Sequence, residues 1–276
     1  MADAPAARCY ADCMPVVSSL FIYPIKGCAG ISLKEVAFDR RGPRLDRKWM
    51  LVDSKGKAIT QRTNSLLAWI RTELTPKGIC AISPDGARLV LPNEEGGTPR
   101  RVSVWNFTGE ANDLGDVAAD WFSDVLDERC RLVRFKNGTK RAVKKTKRAE
   151  VAFADEYPFL LVSVESLVDL NDRLDPPVAM NRFRPNVVVR ECPPFDEDQW
   201  SRVQAPQLEF SVVKPCKRCK VTTINQRTLE QSKEPLLTLA KFRKTKAGVI
   251  FGQNCIHHSN GSLRVGDTLA VSYKSS

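Results

Sequence analysis

Residues 208–224 read L-E-F-S-V-V-K-P-C-K-R-C-K-V-T-T-I, with Cys216 and Cys219 three residues apart inside 214–220, which holds four cations and no acid. The apolar–polar alternation from Leu208 to Val213 predicts a half-buried strand, and the β-leaning residues 221–224 predict a second strand beyond the corner. Cations beside a thiol favour its charged form, so the corner presents soft, activated sulfur. Arg218 and Lys220 flank Cys219 directly and are the expected source of that effect. Pro215 narrows the approach to Cys216, which is expected to shape the turn or to stay a spare thiol. Such a corner suits chemistry or a metal. A structural zinc knuckle or two incidental thiols would account for the same residues.

Outward from this corner, 276 residues suffice for one large domain or two ordinary ones. The chain is 42% apolar and 27% charged, and no stretch approaches the ~20 apolar residues of a membrane span. Residues 1–13 lack the apolar core of a signal peptide and the Arg-rich, acid-poor make-up of a transit peptide; they read as a disordered tail. Nine scattered cysteines, an odd number, fit a reducing compartment, and the expected location is cytoplasmic. The net charge of +11 is concentrated: residues 129–148 carry ten Lys and Arg and no acid. This stretch, with 136–149 read as a basic linker, implies an acidic partner or a solvated loop. Phe135 is its sole aromatic residue, a poor match to the base-stacking surface of an RNA-binding module.

In chain order, V-V-S-S-L-F-I-Y (16–23) predicts a first strand that stops at Pro24 and delivers the turn P-I-K-G-C (24–28). There Lys26 and Gly27 can offer an ammonium and a bare backbone N–H to an anion. Short strands are expected at 36–38, 49–52 and 58–60, with D-S-K-G-K (53–57) as a hairpin turn, and at 79–82 and 88–91 around S-P-D-G-A. Residues 66–74 suit a strand or a short helix. The chain thus reads as β-rich to about Pro99. Helical periodicity marks 113–126 (Leu114, Val117, Ala118, Trp121, Phe122 and Val125 inward), 165–174 (Leu167, Val168, Leu170 and Leu174 inward) and 235–243. Further strands are expected at 130–135, 159–164 and 248–256. Residues 180–189 run from a cationic loop into a strand, with Arg184 and Asn186 at its start. Residues 192–200 form an acidic loop, and 262–271 reads as a strand which, with 248–256, is closed by the R-V-G-D turn.

Two histidines, His257 and His258, are too few for a three-His zinc site, and a facial-triad iron site would need both; they read as an exposed polar pair. No glycine-rich nucleotide loop is present. A single C-x-x-C falls short of a zinc ribbon, and its β-leaning flanks oppose a thioredoxin-like dithiol. What survives is a thiolate ligand for a soft or high-valent metal, with cations holding an anionic carrier of that metal. Lys26, Arg47 and Arg184, each in a polar turn at a strand end, are the candidates for that clamp.

The chain resembles the MOSC proteins of the amidoxime reducing component type. The matching stretches are Y-P-I-K-G-C (23–28), L-D-R-K-W (45–49), P-F-L-L-V-S-V-E-S-L-V-D-L-N-D-R-L (158–174), N-R-F-R-P-N-V-V-V (181–189), C-K-R-C-K-V-T-T-I (216–224), K-E-P-L-L-T-L (233–239), I-F-G-Q-N (250–254) and L-R-V-G-D (263–267). The resemblance implies an α+β, mainly β fold: an N-terminal β-rich MOSC-N domain (14–135), then a β-barrel MOSC domain (150–276) with a few peripheral helices. It implies a molybdenum cofactor (Mo-molybdopterin) held between the two. Cys219 then matches the metal ligand and catalytic position, and Lys26, Gly27, Arg47, Arg184 and Asn186 match cofactor-binding positions. Gly27 stands where the family often has Ser, so a hydroxyl contact is lost or replaced by backbone. Residues 155–157, Asp-Glu-Tyr, replace small hydroxyl residues, and their contact stays open. The implied function is reduction of N-hydroxylated compounds (amidoximes, hydroxylamines), with nitrite as a further candidate. Electrons would come from a cytochrome b5-type donor and its NADH-dependent flavin reductase. A cofactor carrier or sulfur-transfer protein is the alternative.

Overall fold

The computed structural model describes residues 14–143 and 146–275; the tail expected at 1–13 lies outside them. Nine strands form the largest sheet. Its path runs Ile31–Leu33, Val16–Ile22, Val187–Arg190, Phe159–Ser163, Gly248–His257, Leu208–Lys217, Trp200–Ala205, Ala270–Tyr273, with Lys244–Thr245 added beside Gly248–His257. Near its two ends the path returns on itself. Val17 N donates to Asp267 O at 2.9 Å and Leu269 N to Pro15 O at 2.8 Å, so the approach to the last strand lies against the first and the sheet wraps around its own core. Val17, Leu20, Ile22, Leu161, Val189, Trp200, Phe210, Cys255 and Leu269 fill that interior.

The other face of this sheet is covered by helices α2 (Val164–Asn171) and α3 (Leu236–Phe242) over Leu160, Val162, Phe183 and Phe251. Phe159–Ser163 is therefore apolar on both faces, which is why it reads as an unbroken hydrophobic run. Gly252 lets the neighbouring strand come this close: at φ +72° its backbone leaves no room for a Cβ, which would lie 2.8 Å from Leu161 O.

The second body combines two antiparallel sheets. One orders Trp49–Val52, Arg131–Phe135, Phe107–Asp113 and Thr98–Val104; the other orders Arg71–Thr75, Gly78–Ile82 and Arg88–Pro92. Trp49 and Leu51 point into one core, shared with Phe122 of helix α1 (Asp116–Leu126), and Met50 and Val52 into another with Phe135 and Phe153. The β character thus continues well past Pro99, through a hairpin whose two-residue turn is Trp105–Asn106.

Hydrogen bonding crosses the division placed at residue 135. Val16–Ile22 pairs with Val187–Arg190 because a bulge between Val17 and Ser19 aims Val17, Leu20 and Ile22 inward together. Residues 136–149, read as a linker, contain paired strands Ala142–Val143 and Thr146–Glu150. The stretch 262–271, read as one strand, forms two, one on either side of R-V-G-D: Gly261–Arg264 joins Glu35–Asp39 and Ala270–Tyr273 joins Trp200–Ala205. Residues 220–223 form a 3-10 turn in place of the second strand expected after the cysteine corner. Residues 66–74 split between both readings, a 3-10 turn (Ser65–Trp69) and a strand (Arg71–Thr75). On the helices, Val117 and Val168 face outward, 76% and 52% exposed. His257 is half-buried beside Phe38, with Nε2 2.6 Å from Asp39 O, and is not the freely exposed residue expected.

Candidate functional site

A cleft of about 230 Å³ opens where the two bodies meet. The first body contributes Lys26, Gly27, Arg47, Gln61, Arg62 and Trp105; the barrel side contributes Asp155, Arg184, Asn186, Cys216, Arg218 and Cys219, among others. Its lining carries seven Lys and Arg (26, 47, 62, 182, 184, 217, 218) against two acids, Asp155 and Glu156. That excess of five favours an anionic occupant.

Lys26 arrives on the turn that ends the first strand, fixed by Lys26 N donating to Trp49 O at 2.8 Å. Its ammonium is buried, donates to Phe153 O at 2.9 Å and pairs with Asp155. Burial pulls the lysine below its ordinary range, while Asp155 opposes that. The Asp155 carboxylate is held well below the usual range: desolvation in the cleft resists ionisation, and Lys26 outweighs it, with a further bond from Trp105. Gly27 has φ +92°, and an added Cβ would lie 2.8 Å from Leu67 Cδ1. Its carbonyl accepts from Gln61 Nε2 at 2.6 Å.

Arg47 and Arg184 both adopt left-handed backbone, φ +45° and +55°, a conformation that costs of order 1–3 kcal/mol and persists where surrounding structure enforces it. Both guanidiniums lie over the Tyr23 ring, 4.3 and 4.2 Å from its centroid. Desolvation lowers Arg184 to about 10 and raises the Tyr23 phenol to about 12; at neutral pH the arginine stays charged and the phenol neutral. Asn186 sits behind them, 2% exposed. Its amide oxygen accepts from Arg47 Nη1 and Leu160 N, and its amide nitrogen donates to Phe21 O and Asp46 Oδ1. With those four bonds made, Asn186 acts by orienting Arg47.

The strand Leu208–Lys217 is bulged twice against Gly248–His257, at 212–214 and 215–217, which turns the cysteine corner into the cleft. Pro215, which cannot donate, stands between the bulges. Cys219 caps the 3-10 turn: its carbonyl accepts from Thr222 N at 3.0 Å and from Thr222 Oγ1 at 2.9 Å. The cation at the Cys219 sulfur is neither of its sequence neighbours. Arg62 Nη2 lies 3.4 Å from Cys219 Sγ, whereas Arg218 turns to Cys216 Sγ at 3.0 Å and Phe183 O at 2.7 Å.

Residues 14–129 match the family model of the MOSC N-terminal beta barrel domain and residues 148–270 that of the MOSC domain. The chain is 33% identical over 273 residues to Mitochondrial amidoxime reducing component 2 of Homo sapiens, covering 91% of this chain and 82% of that protein. The chain belongs to the MOSC family, of the amidoxime reducing component type. The Rattus norvegicus protein of the same name is 35% identical over 275 residues, 91% of this chain and 81% of that one. A rice (Oryza sativa subsp. japonica) relative, Molybdenum cofactor sulfurase, is 31% identical over 261 residues, 86% of this chain and 32% of the longer protein.

In this MOSC chain all six sequence-predicted site residues, Lys26, Gly27, Arg47, Arg184, Asn186 and Cys219, line the one cleft. Sequence reasoning missed Arg62, Trp105 and Gln61. Arg62 carried the signal that picked out Lys26, a cation in a polar turn after a short strand, and Trp105 stood in a two-residue hairpin turn better suited to Asn or Gly. Among the described residues no helix is long and apolar enough to cross a membrane.

Proposed function

We propose that this chain is a molybdenum-cofactor-dependent reductase of N-hydroxylated compounds, converting amidoximes and hydroxylamines to amidines and amines. The observation that carries this reading is a half-buried thiol, Cys219, in a cleft with an excess of five cations. A soft sulfur suits a high-valent metal, and flanking guanidiniums suit a pterin phosphate, so the donor set fits the group. Cys219 would hold the metal, with Lys26, Arg47 and Arg184 along the pterin and its phosphate. When bound, the cofactor supplies two-electron oxygen-atom chemistry. The balance is R–NH–OH plus two electrons and two protons giving R–NH2 and water; nitrite reduction to nitric oxide also releases an oxygen as water, with one electron and two protons.

Within the protein, Asn186 and Asp46 fix the Arg47 plane, Asp155 fixes the Lys26 ammonium, and the Arg47 and Arg184 stack on Tyr23 gives the anion a rigid wall. Such pre-organisation reduces the ordering cost of binding. The electrons come from outside, from a cytochrome b5-type protein served by an NADH-dependent flavin reductase. The second reading, a cofactor carrier or sulfur-transfer protein, draws on Cys216, a second thiol lining the same cleft beside Arg218.

The test is metal analysis of protein expressed in a cofactor-producing host, followed by turnover of an amidoxime with a chemical reductant and then with the cytochrome system. Stoichiometric molybdenum with turnover in both arms is expected, the cytochrome arm declining as salt screens docking. Stoichiometric zinc without molybdenum would overturn the reading, and molybdenum without turnover would favour the carrier.

A further inference from the structure

We propose that Trp105, with Arg62 stacked on it, is a substrate-contact wall that selects N-hydroxylated compounds carrying their N–O group on a flat aromatic ring. This rests on the reductase reading above and names the substrate class for the same cleft.

Trp105 sits in a two-residue hairpin turn, between Val104 and Phe107, with φ +53°. Turns of that kind favour Asn, Asp or Gly, and a bulky side chain there is strained. The residue is therefore not explained by the turn. Nor is it explained by the core, because it is 48% exposed. Yet it is held in place. Its indole N–H donates to Asp155 Oδ1 at 2.9 Å, and the Arg62 guanidinium lies 4.3 Å from the ring centroid. The same Arg62 reaches 3.4 Å from Cys219 Sγ, so one guanidinium separates the indole from the candidate metal ligand. Arg62 is a positioning residue in this arrangement.

Of the five tryptophans in the chain, Trp105 alone lines the cleft among the described residues. Large, pinned and still bare, it offers an aryl group an offset or edge-to-face contact and a guanidinium that also stacks on arenes. A small aliphatic substrate gains little from either. Asp155 adds to the rigidity, since it is tied to Lys26 as well as to the indole. The wall is thus coupled to the clamp that orders the rest of the cleft.

The experiment compares wild type, Trp105→Ala and Trp105→Phe as holoproteins, with benzamidoxime and acetamidoxime as matched substrates and molybdenum content measured throughout. The ratio of kcat/KM for the aryl over the alkyl substrate should fall roughly two- to tenfold in the Ala variant, the size of one aromatic contact. The loss should sit mainly in KM, and Phe should recover much of it. A binding arm adds benzamidine or acetamidine and follows tryptophan emission. Benzamidine should quench wild type more strongly than acetamidine does, and this difference should vanish in Trp105→Phe. An unchanged aryl-to-alkyl ratio, or equal quenching by both amidines, overturns the inference. If wild type reduces neither substrate the reductase reading fails, and the binding arm still decides whether Trp105 selects flat rings.

Discussion

Each thiol of the pair has its own guanidinium, Arg62 at 3.4 Å from the Cys219 sulfur and Arg218 at 3.0 Å from that of Cys216. The two sulfurs therefore sit in different surroundings and should not be interchangeable. Cys219→Ser is expected to lose molybdenum and to reduce turnover to background, since a hydroxyl is a poor substitute for a soft thiolate. Cys216→Ser removes one charge-assisted contact of about 1–3 kcal/mol and should keep the metal and a measurable share of activity. Metal content and the visible spectrum of the two single variants decide the matter; equal losses would point to a paired zinc or disulfide role. At this scale the sequence revealed what is local. Two cysteines in a cationic corner are visible in a window of seven residues, as are Lys26-Gly27 and F-R-P-N. Arg62 was hidden because it lies 157 residues from its sulfur, and only the meeting of two bodies brings them together. Arg218, adjacent in sequence, was credited with a contact that its bonds to Phe183 O and Cys216 preclude.

Helix α2 begins at Ser163, whose hydroxyl accepts from Ser166 N at 3.0 Å and so caps the first turn. The Ser163 and Ser166 hydroxyls donate to Glu197, a fully buried carboxylate on the 3-10 turn Asp196–Asp198, and Ser163 N adds a backbone bond. Burial raises Glu197 to about 7, with Asp198 adding repulsion, against the bonds from Ser166 and Ser163. An acid whose folded pKa lies above its unfolded value of about 4.3 makes its full contribution to stability below that lower value. The contribution is then lost as pH rises through about 7. From the shift, the loss between pH 4 and pH 8 is of order 3 kcal/mol. Glu197→Gln cannot ionise, so its stability relative to wild type should improve by about that much across the interval. Urea unfolding at several pH values measures it, and a wild-type–variant difference independent of pH would refute the account. None of this polar junction was foreseen. The acidic run 192–200 reads as a solvated loop because a sequence displays charge without displaying the hydroxyls that another element brings to it. For the helices themselves, periodicity found all three within a few residues, but it assigned Val117 and Val168 inward because an apolar stripe does not show where its neighbours end.

The two bodies are joined by more than the cleft they enclose, since the basic run 129–148 belongs to the architecture. Arg131 pairs with Asp113 and Asp116, Lys136 pairs with Glu110, and Arg134 is buried. The side chains at 144–148 lie outside the described residues. A count of ten cations without an acid suggested an unmatched surface; for Arg131 and Lys136 the acids lie on other elements that only the fold places opposite. Arg141 is the member with the longest reach. It donates to the carbonyls of Ala152, Ala154 and Asp155, and so clamps the segment whose Phe153 O and Asp155 hold Lys26. Phe153 N in turn donates to Arg47 O at 3.0 Å, which ties the segment to a second cation of the proposed clamp. Arg141→Ala leaves three carbonyls without this donor, a loss of about 1–3 kcal/mol for each that stays dry. Arg141 bonds a loop and is not part of the apolar cluster that fills the barrel, so the expected outcome is a folded protein with Tm lowered by several degrees and molybdenum lost on prolonged dialysis. Lys136→Ala is the control, because its ion pair with Glu110 is exposed and worth about 0–1 kcal/mol; it should match wild type in both measurements. If residues 136–149 were only a spacer, the two variants would behave alike, and equal metal retention after dialysis would establish that.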